Sequence, residues 1–556
     1  MSSDKDLTLA AILNESVRRF ADNPALSFVS STPMSYAEFG EEVAKTRAAL
    51  RRLNVRPGDR VAILSGNMPN WAVAYFAVTT MGAVAVPLLP DFHENEIETF
   101  LRHAGCDVLF VSERLASKVT AKDLPRLRSR IRLDDMTILD GEEASGSTVA
   151  GSPLWKTSMG REDAADVRPD DLAAIIYTSG TTGTSKGVML THRNIAFNAT
   201  KVQTIQPVKA QDVFLSILPL SHTYENTLGL ILPLMNGASV HYLEKPPTAS
   251  ALLPALEQVR PTIMLSVPLV IEKVYKQRVL PEVTKSGLLR RIHGTNAGRR
   301  MLYRLAGKKL KKTFGGRLHF FGVGGAKLDA TVERFLREAK FPYAIGYGLT
   351  ETAPLLAGAN PQQVRYQSTG PAMQGIELRI ADADPVSGEG EIQARGQSVM
   401  RGYYNEPELT RETFTEDGWF RTGDLGSFDA DGHLYIKGRL KNLIVSSSGE
   451  NIYPEEIESV INTHRYVLES LVMEKKGKLV ALVHLNYEEI EEHFAHMKDE
   501  AVQFVQKKVE ETLDELHRHV NGRVNRFSQL AAVVEQRYPF EKTATQKIKR
   551  FMYLSA

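Results

Sequence analysis

The chain has a single cysteine, Cys106, in 556 residues. A lone thiol excludes an internal disulfide and a cysteine-based zinc site, and it fits a reducing compartment. Also missing is an uncharged apolar run of membrane-spanning length. The most apolar long window, Val213 to Met235, is interrupted by His222, Glu225 and Asn226. Neither sign of charge dominates: 68 basic against 66 acidic residues leave a net +2, which argues for neither a nucleic-acid binder nor an acidic tail. No internal repeat is present. The first residues, Met-Ser-Ser-Asp-Lys-Asp, carry acids and lead into an amphipathic pattern (Leu9, Ile12, Leu13, Val17, Phe20), so they do not read as a signal peptide and a cytoplasmic location is expected.

With 43% hydrophobic and 24% charged residues, a chain of this length buries large cores and divides into more than one domain. Apolar strands alternate with helix-period segments: Arg60–Leu64, a helix over Asn70–Met81, Ala83–Val86, a helix near Glu94–His103, then Val108–Val111. That alternation predicts an α/β fold. The Gly- and Ser-rich stretch 140–160 reads as a surface connection. Beyond Gly432 the pattern changes to hairpin-like strands and then to a charged helical stretch from Tyr487 to Arg518, so the turn Gly438-Arg439-Leu440-Lys441 is the best domain boundary.

The most informative segment is Tyr177-Thr178-Ser179-Gly180-Thr181-Thr182-Gly183-Thr184-Ser185-Lys186-Gly187. It follows a predicted buried strand, Leu172–Ile176, and is expected to lead into a helix. Glycines allow close backbone approach to an anion, while hydroxyls, N–H groups and the Lys186 ammonium supply donors to phosphate oxygens. It is not the GxxxxGK[ST] loop of the P-loop phosphotransferases, because glycine follows the lysine. By itself such a cluster is equally well a surface turn. Five further segments follow it in order: LPLSH at 218–222, GYGLTET at 346–352, TGDLG at 422–426, GRLKNLIVSSSGENIYPEEIE at 438–458 and TATQKIKR at 543–550.

In these six segments the chain resembles the adenylate-forming superfamily of acyl-CoA synthetases, peptide-synthetase adenylation domains and luciferases, from about Thr8 to Arg550. The resemblance implies a large N-terminal domain (1–438) and a small, mobile α+β C-terminal domain (439–556) hinged at 439–441, with Lys441 as the pivot. It also implies ATP, Mg2+ and coenzyme A as reactants. Thr178, Ser179, Gly180, Thr181, Thr182, Gly183 and Lys186 would hold the β- and γ-phosphates. Thr350 and Glu351 would contact the α-phosphate and magnesium, Tyr347 beside Gly348 would face adenine, and Gly325-Ala326 would form the second wall. Asp424 and Arg439 would hold the ribose. His222 would stand at the mouth of the acyl pocket. Lys547 would swing in to hold carboxylate and α-phosphate, then withdraw as the loop Ser446–Asn451 admits a pantetheine arm. Departures from the family pattern are Ser185 and Ala544, where proline is usual, and Asn442, where aspartate is common.

The segment Ser266–Tyr275 is similar to one in long-chain fatty acyl-CoA synthetases, with Leu269 in place of an arginine. The resemblance therefore implies a fatty acid as substrate, with an acyl carrier protein as the rival acceptor to coenzyme A. A lipid-binding pseudoenzyme is the non-catalytic alternative, and it would be expected to lack Glu351, Asp424 or Lys547. Between Lys285 and Arg317 lie eleven Lys and Arg residues and no acid, a charge that anionic lipid, coenzyme A phosphates or an acidic carrier protein would complement. Peripheral contact with the inner face of a membrane is expected from it.

Overall fold

Short runs of apolar and β-branched residues without polar alternation form strands buried on both faces. In the computed structural model Arg60–Leu64 and Val108–Val111 are such strands, paired in parallel at the middle of an eight-stranded sheet. The structure describes residues 7–119, 124, 126–140, 150–154, 165–178, 185–445, 451–494, 501–543 and 547–554, without the side chains of 491–494 and 501–505. The predicted 140–160 connection lies mostly outside them.

A second eight-stranded sheet runs in the spatial order Leu355–Gly358, Tyr343–Gly348, Phe320–Val323, Ile263–Ser266, Val213–Ser216, Ser239–Tyr242, Pro24–Phe28, Met34–Ser35. Its six inner strands are parallel and both edge strands antiparallel. One core joins the two sheets, and the helix Pro69–Thr80 lies inside it, buried from Trp71 to Thr80. A helix apolar all round can only sit there. The fold is thus α/β, as the alternation predicts.

A four-stranded antiparallel sheet follows: Ile376–Ala381, Gly390–Gly396, Phe420–Phe428 and Leu434–Arg439. The remaining residues have a core of their own, in which Val467–Lys475, Lys478–Leu485 and Ala532–Glu535 form a sheet against the helices Pro454–Asn462 and Ala501–Asn521. The charged helical stretch expected from Tyr487 to Arg518 carries the helices Tyr487–Phe494 and Ala501–Asn521.

One expectation fails at the phosphate loop. The strand Leu172–Thr178 is followed by a second strand, Lys186–Thr191, pairing antiparallel with Thr178 opposite Lys186, and a helix begins only at His192. Val188, Met189 and Leu190 favour a pleated, half-buried surface over a helix start. The segment therefore leads from one strand into its antiparallel partner and not into a helix start. Ser179, Gly180, Thr181, Thr182 and Gly183 lie outside the described residues, as do Ser446–Glu450.

Candidate active site

Ligands of open α/β sheets bind beyond the carboxyl ends of the parallel strands. Here Gly324-Gly325-Ala326 follows the strand Phe320–Val323, Tyr347 and Gly348 end the strand Tyr343–Gly348, and the 218–222 segment follows Val213–Ser216. Gly325 and Ala326 are exposed, and Gly325 turns the chain with φ +86°. Gly348 is required by close approach: a Cβ there would stand 1.9 Å from the Pro354 carbonyl oxygen.

Asp424 and Arg439 face each other across an antiparallel ladder, which is why an ion pair forms between residues fifteen apart. Arg439 Nε lies 2.8 Å from Asp424 Oδ1, and the Tyr347 hydroxyl donates to Oδ2 at 2.8 Å. The buried Asp424 carboxyl is pushed upward by desolvation, with Arg439, Tyr347 and Lys547 opposing the shift. Tyr347 is itself nearly buried, so its ring is fixed by this bond.

Thr350, Glu351 and Thr352 make a single 3-10 turn. Glu351 Oε1 accepts from the Tyr403 hydroxyl at 3.0 Å, and the Lys186 ammonium stands 5.0 Å over the centre of the Tyr403 ring. Tyr403 therefore bridges a cation and a carboxylate brought from three separate segments. Sequence reasoning missed it, because an isolated Gly-Tyr-Tyr signals nothing locally.

Lys547 enters from the C-terminal core. It keeps solvent-accessible surface, yet crowding in the cleft and the Arg439 cation hold its pKa below the ordinary lysine range, with Asp424 and Glu351 opposing. Lys441 is lowered to about 8 by desolvation and by Arg439, Lys186 and Lys547. Four cations from three segments (Lys186, the Arg439–Lys441 turn and Lys547) thus converge on two carboxylates. Such a surplus is what a polyphosphate neutralises. For magnesium, a single carboxylate beside nucleotide phosphates suffices, since this ion is commonly held by one or two carboxylates and the substrate. Glu351 fits that donor set, and the described residues contain no group of three His, Cys, Asp or Glu that could form a closed protein cage.

An apolar pocket is lined among others by Val202, Ile205, Tyr224, Leu228, Gly322 and Gly346, the last next in the chain to Tyr347. Its wall at Tyr224 belongs to a π-helical turn, Tyr224–Ile231. His222 is not among the lining residues. It is half-buried near Lys547, with a pKa lowered to about 4 by desolvation and by that ammonium, so it is neutral at physiological pH. Glu225, which the sequence did not single out, is fully buried and raised to about 8 by desolvation. Gly229 leaves room for its carboxyl, which a Cβ would approach to 2.5 Å.

The family model described as "AMP-binding enzyme" matches residues 13–404. Long chain acyl-CoA synthetase 1 of Arabidopsis thaliana is 30% identical over 98% of this chain and 91% of its own length. Long-chain-fatty-acid--CoA ligase FadD15 of Mycobacterium bovis is 30% identical over 83% of this chain and 78% of its own, and 4-coumarate--CoA ligase 3 of Oryza sativa subsp. japonica 30% over 85% and 81%. Among solved structures, the anthranilate CoA ligase AuaEII in complex with anthranoyl-AMP superposes with a TM-score of 0.79 at 21% identity, covering 98% of this chain and 96% of that one. The o-succinylbenzoate CoA synthetase MenE of Bacillus subtilis with its acyl-adenylate does so at 0.76 and 23%, over 98% of this chain and 97% of that one. With the match to the family model spanning most of its length, the chain belongs to the AMP-binding enzyme family.

Proposed function

We propose that this protein is an ATP-dependent, AMP-forming ligase that activates a long-chain fatty acid as its acyl adenylate and passes the acyl group to the thiol of coenzyme A. The observation that carries this reading is the junction of the two halves of the site. Gly346 lines the apolar pocket, and the next residue, Tyr347, donates to the Asp424 carboxylate that pairs with Arg439, in a cluster of Lys186, Arg439, Lys441 and Lys547 with little matching acid.

In the first half-reaction a carboxylate oxygen attacks the α-phosphorus, and the bond to the pyrophosphate oxygen breaks. Negative charge gathers on phosphate oxygens, so preorganised cations are the main catalytic resource. Lys547 would hold the carboxylate and α-phosphate, and Lys186 with Thr178 the distal phosphates. Asp424 and Arg439 would hold the ribose hydroxyls, exchanging part of their mutual pair for them, and Tyr347 would face the base. Glu351 would hold magnesium, which supplies charge neutralisation of the nucleotide phosphates when bound. In the second half-reaction the thiolate sulfur attacks the acyl carbonyl carbon and AMP leaves. A rotation about Arg439–Lys441 that withdraws Lys547 would open the path for the thiol.

The fatty-acid assignment is supported by the pocket lining, which is almost wholly aliphatic and aromatic, and by the named activities of the relatives. Peripheral membrane contact belongs to the same reading. On the helices Gly287–His293 and Asn296–Thr313, Leu288, Met301 and Leu305 are 69%, 51% and 58% exposed amid Arg304, Lys308, Lys309 and Lys312. Apolar side chains ringed by cations suit an anionic lipid surface. Arg299 stands apart, because it forks onto Glu338 at 2.9 and 3.0 Å.

The deciding experiment measures AMP release over saturated fatty acids of graded length, with coenzyme A or acyl carrier protein as acceptor. Release that rises with chain length and requires coenzyme A supports the reading. Preference for the carrier protein would make the chain an acyl-[acyl-carrier-protein] synthetase, and no release with any acid would leave the lipid-binding pseudoenzyme.

A further inference from the structure

The helix Pro454–Asn462 lies against the N-terminal domain along one side. Glu456, Ser459 and Asn462 recur every three residues on it, and each meets a partner from across the interface. Lys327 Nζ stands 3.7 Å from Glu456 Oε1. The Asp329 carboxylate, which also caps the helix Ala330–Glu338, faces the Ser459 side chain, which opposes the upward shift that burial gives its pKa. Lys276, in the turn of π-helix after Pro268–Val274, donates from Nζ to the Asn462 carbonyl.

The last of these contacts has the most distinctive chemistry. Asn462 ends its helix, so its carbonyl has no partner within that helix and lies at the negative end of the helix dipole. The Lys276 ammonium is largely desolvated, and desolvation lowers its pKa while Glu272, Asp329 and Glu489 oppose the shift. Its neighbouring acids already have other uses. Glu272 accepts from the Asp329 amide at 3.0 Å, and Asp329 accepts from Thr331 and Val332. Among the described residues, the Asn462 carbonyl is the one hydrogen-bond acceptor recorded for the Lys276 ammonium.

We propose that Lys276 is a positioning residue for acyl-adenylate formation: its ammonium latches the end of the Pro454–Asn462 helix and holds the C-terminal domain where Lys547 reaches the reactants. Lys327 and Asp329 make the second and third points of the latch. They sit on the turn that carries Gly325 and Ala326, so the nucleotide-facing loop and the domain orientation are tied together. The thiol-transfer orientation requires all three contacts to part, which sets how readily the domain leaves. The inference rests on the two-step reading above only for its kinetic consequence. The latch itself is a statement about domain orientation.

The test is Lys276→Met, which keeps the apolar stem and removes the charge, beside Lys276→Arg, which retains a cation. Nitroxide labels at Glu257→Cys and Glu474→Cys, both exposed, report the distance between domains, and the native Cys106 is buried away from the label. Lys276→Met should broaden the distance distribution toward other orientations, and Lys276→Arg should restore it. Losing a charged hydrogen bond should slow acyl-adenylate formation about tenfold while leaving thioester formation from supplied acyl adenylate unchanged. An unchanged distance distribution in correctly folded Lys276→Met overturns the latch, as does equal slowing of both half-reactions. If the wild type releases no AMP with any fatty acid, the functional reading fails and the distance measurement still decides the latch.

Discussion

Gly322 offers a direct test of what the apolar pocket does. It lies in the strand Phe320–Val323 with its Cα facing the cavity, and a Cβ built there would come within 3.0 Å of Leu265 and Phe320 and 3.1 Å of the Tyr224 hydroxyl. All three neighbours are side chains that line the same pocket, so Gly322→Val narrows the cavity and leaves the backbone in place. Valine also suits a strand better than glycine. Its added carbons displace room for about two to three methylenes of a bound chain. At ~0.8 kcal/mol per buried methylene, long acids lose about 1.6–2.4 kcal/mol, or roughly 15- to 60-fold in kcat/KM. Acids too short to reach Gly322 lose little. The assay is pyrophosphate release across a series of saturated acids, with the midpoint of thermal unfolding as a control on the fold. In the wild type, kcat/KM should climb about fourfold per methylene until the pocket is full, and the variant should reach its plateau two or three carbons earlier. A uniform loss across the series, or a plateau at the same length, would refute the assignment of this cavity to the acyl chain.

Lys547→Ala should lower acyl-adenylate formation by about 10²–10³, the usual effect of removing one donor from developing charge, and should spare thioester formation from supplied acyl adenylate. Rapid-quench measurement of each half-reaction separates the two, and equal losses would count against the role. Stability should fall in acid through His192, whose Nδ1 accepts from the Leu9 amide at 3.2 Å and whose burial lowers its pKa to about 4. Because the folded value lies below the unfolded one of 6.5, only the unfolded chain takes up this proton as pH drops from about 6.5 to 4, costing about 2 kcal/mol by pH 5. Urea unfolding of wild type and His192→Gln at pH 7 and pH 5 checks this: the variant should lose less on acidification. Replacing Arg304, Lys308, Lys309 and Lys312 with Gln should weaken binding to anionic vesicles by about 1 kcal/mol per residue and leave binding to neutral vesicles unaltered. Cosedimentation at low and high salt reads both, and unchanged binding would remove the membrane role.

Much of the molecule was legible in local pattern. Apolar strands read as Arg60–Leu64 and Val108–Val111 fall on those residues, and the helix near Glu94–His103 runs Glu94–Ala104, ended by a left-handed Gly105. Strand and helix differ in side-chain period, and period is a property of neighbours in sequence. The same local reading erred after Lys186, where a hairpin and a helix start share turn chemistry and only the partner strand distinguishes them.

What the tertiary structure decided are the pairings that no local period encodes. Antiparallel register sets Asp424 opposite Arg439, the pairing of Gly402–Tyr403 with Lys186–Thr191 puts Lys186 over Tyr403, and the turn Thr350–Thr352 from the other large sheet brings Glu351 to Tyr403. The apolar pocket, the buried Glu225 and the contact of Lys276 with the Asn462 carbonyl also arise only when distant segments meet. Charge and burial at such places depend on everything within several ångströms, most of it far away along the chain. The residue types that can do the chemistry were therefore evident from the sequence by itself, and the three-dimensional fold alone decided which of them share one site and with what electrostatic consequence.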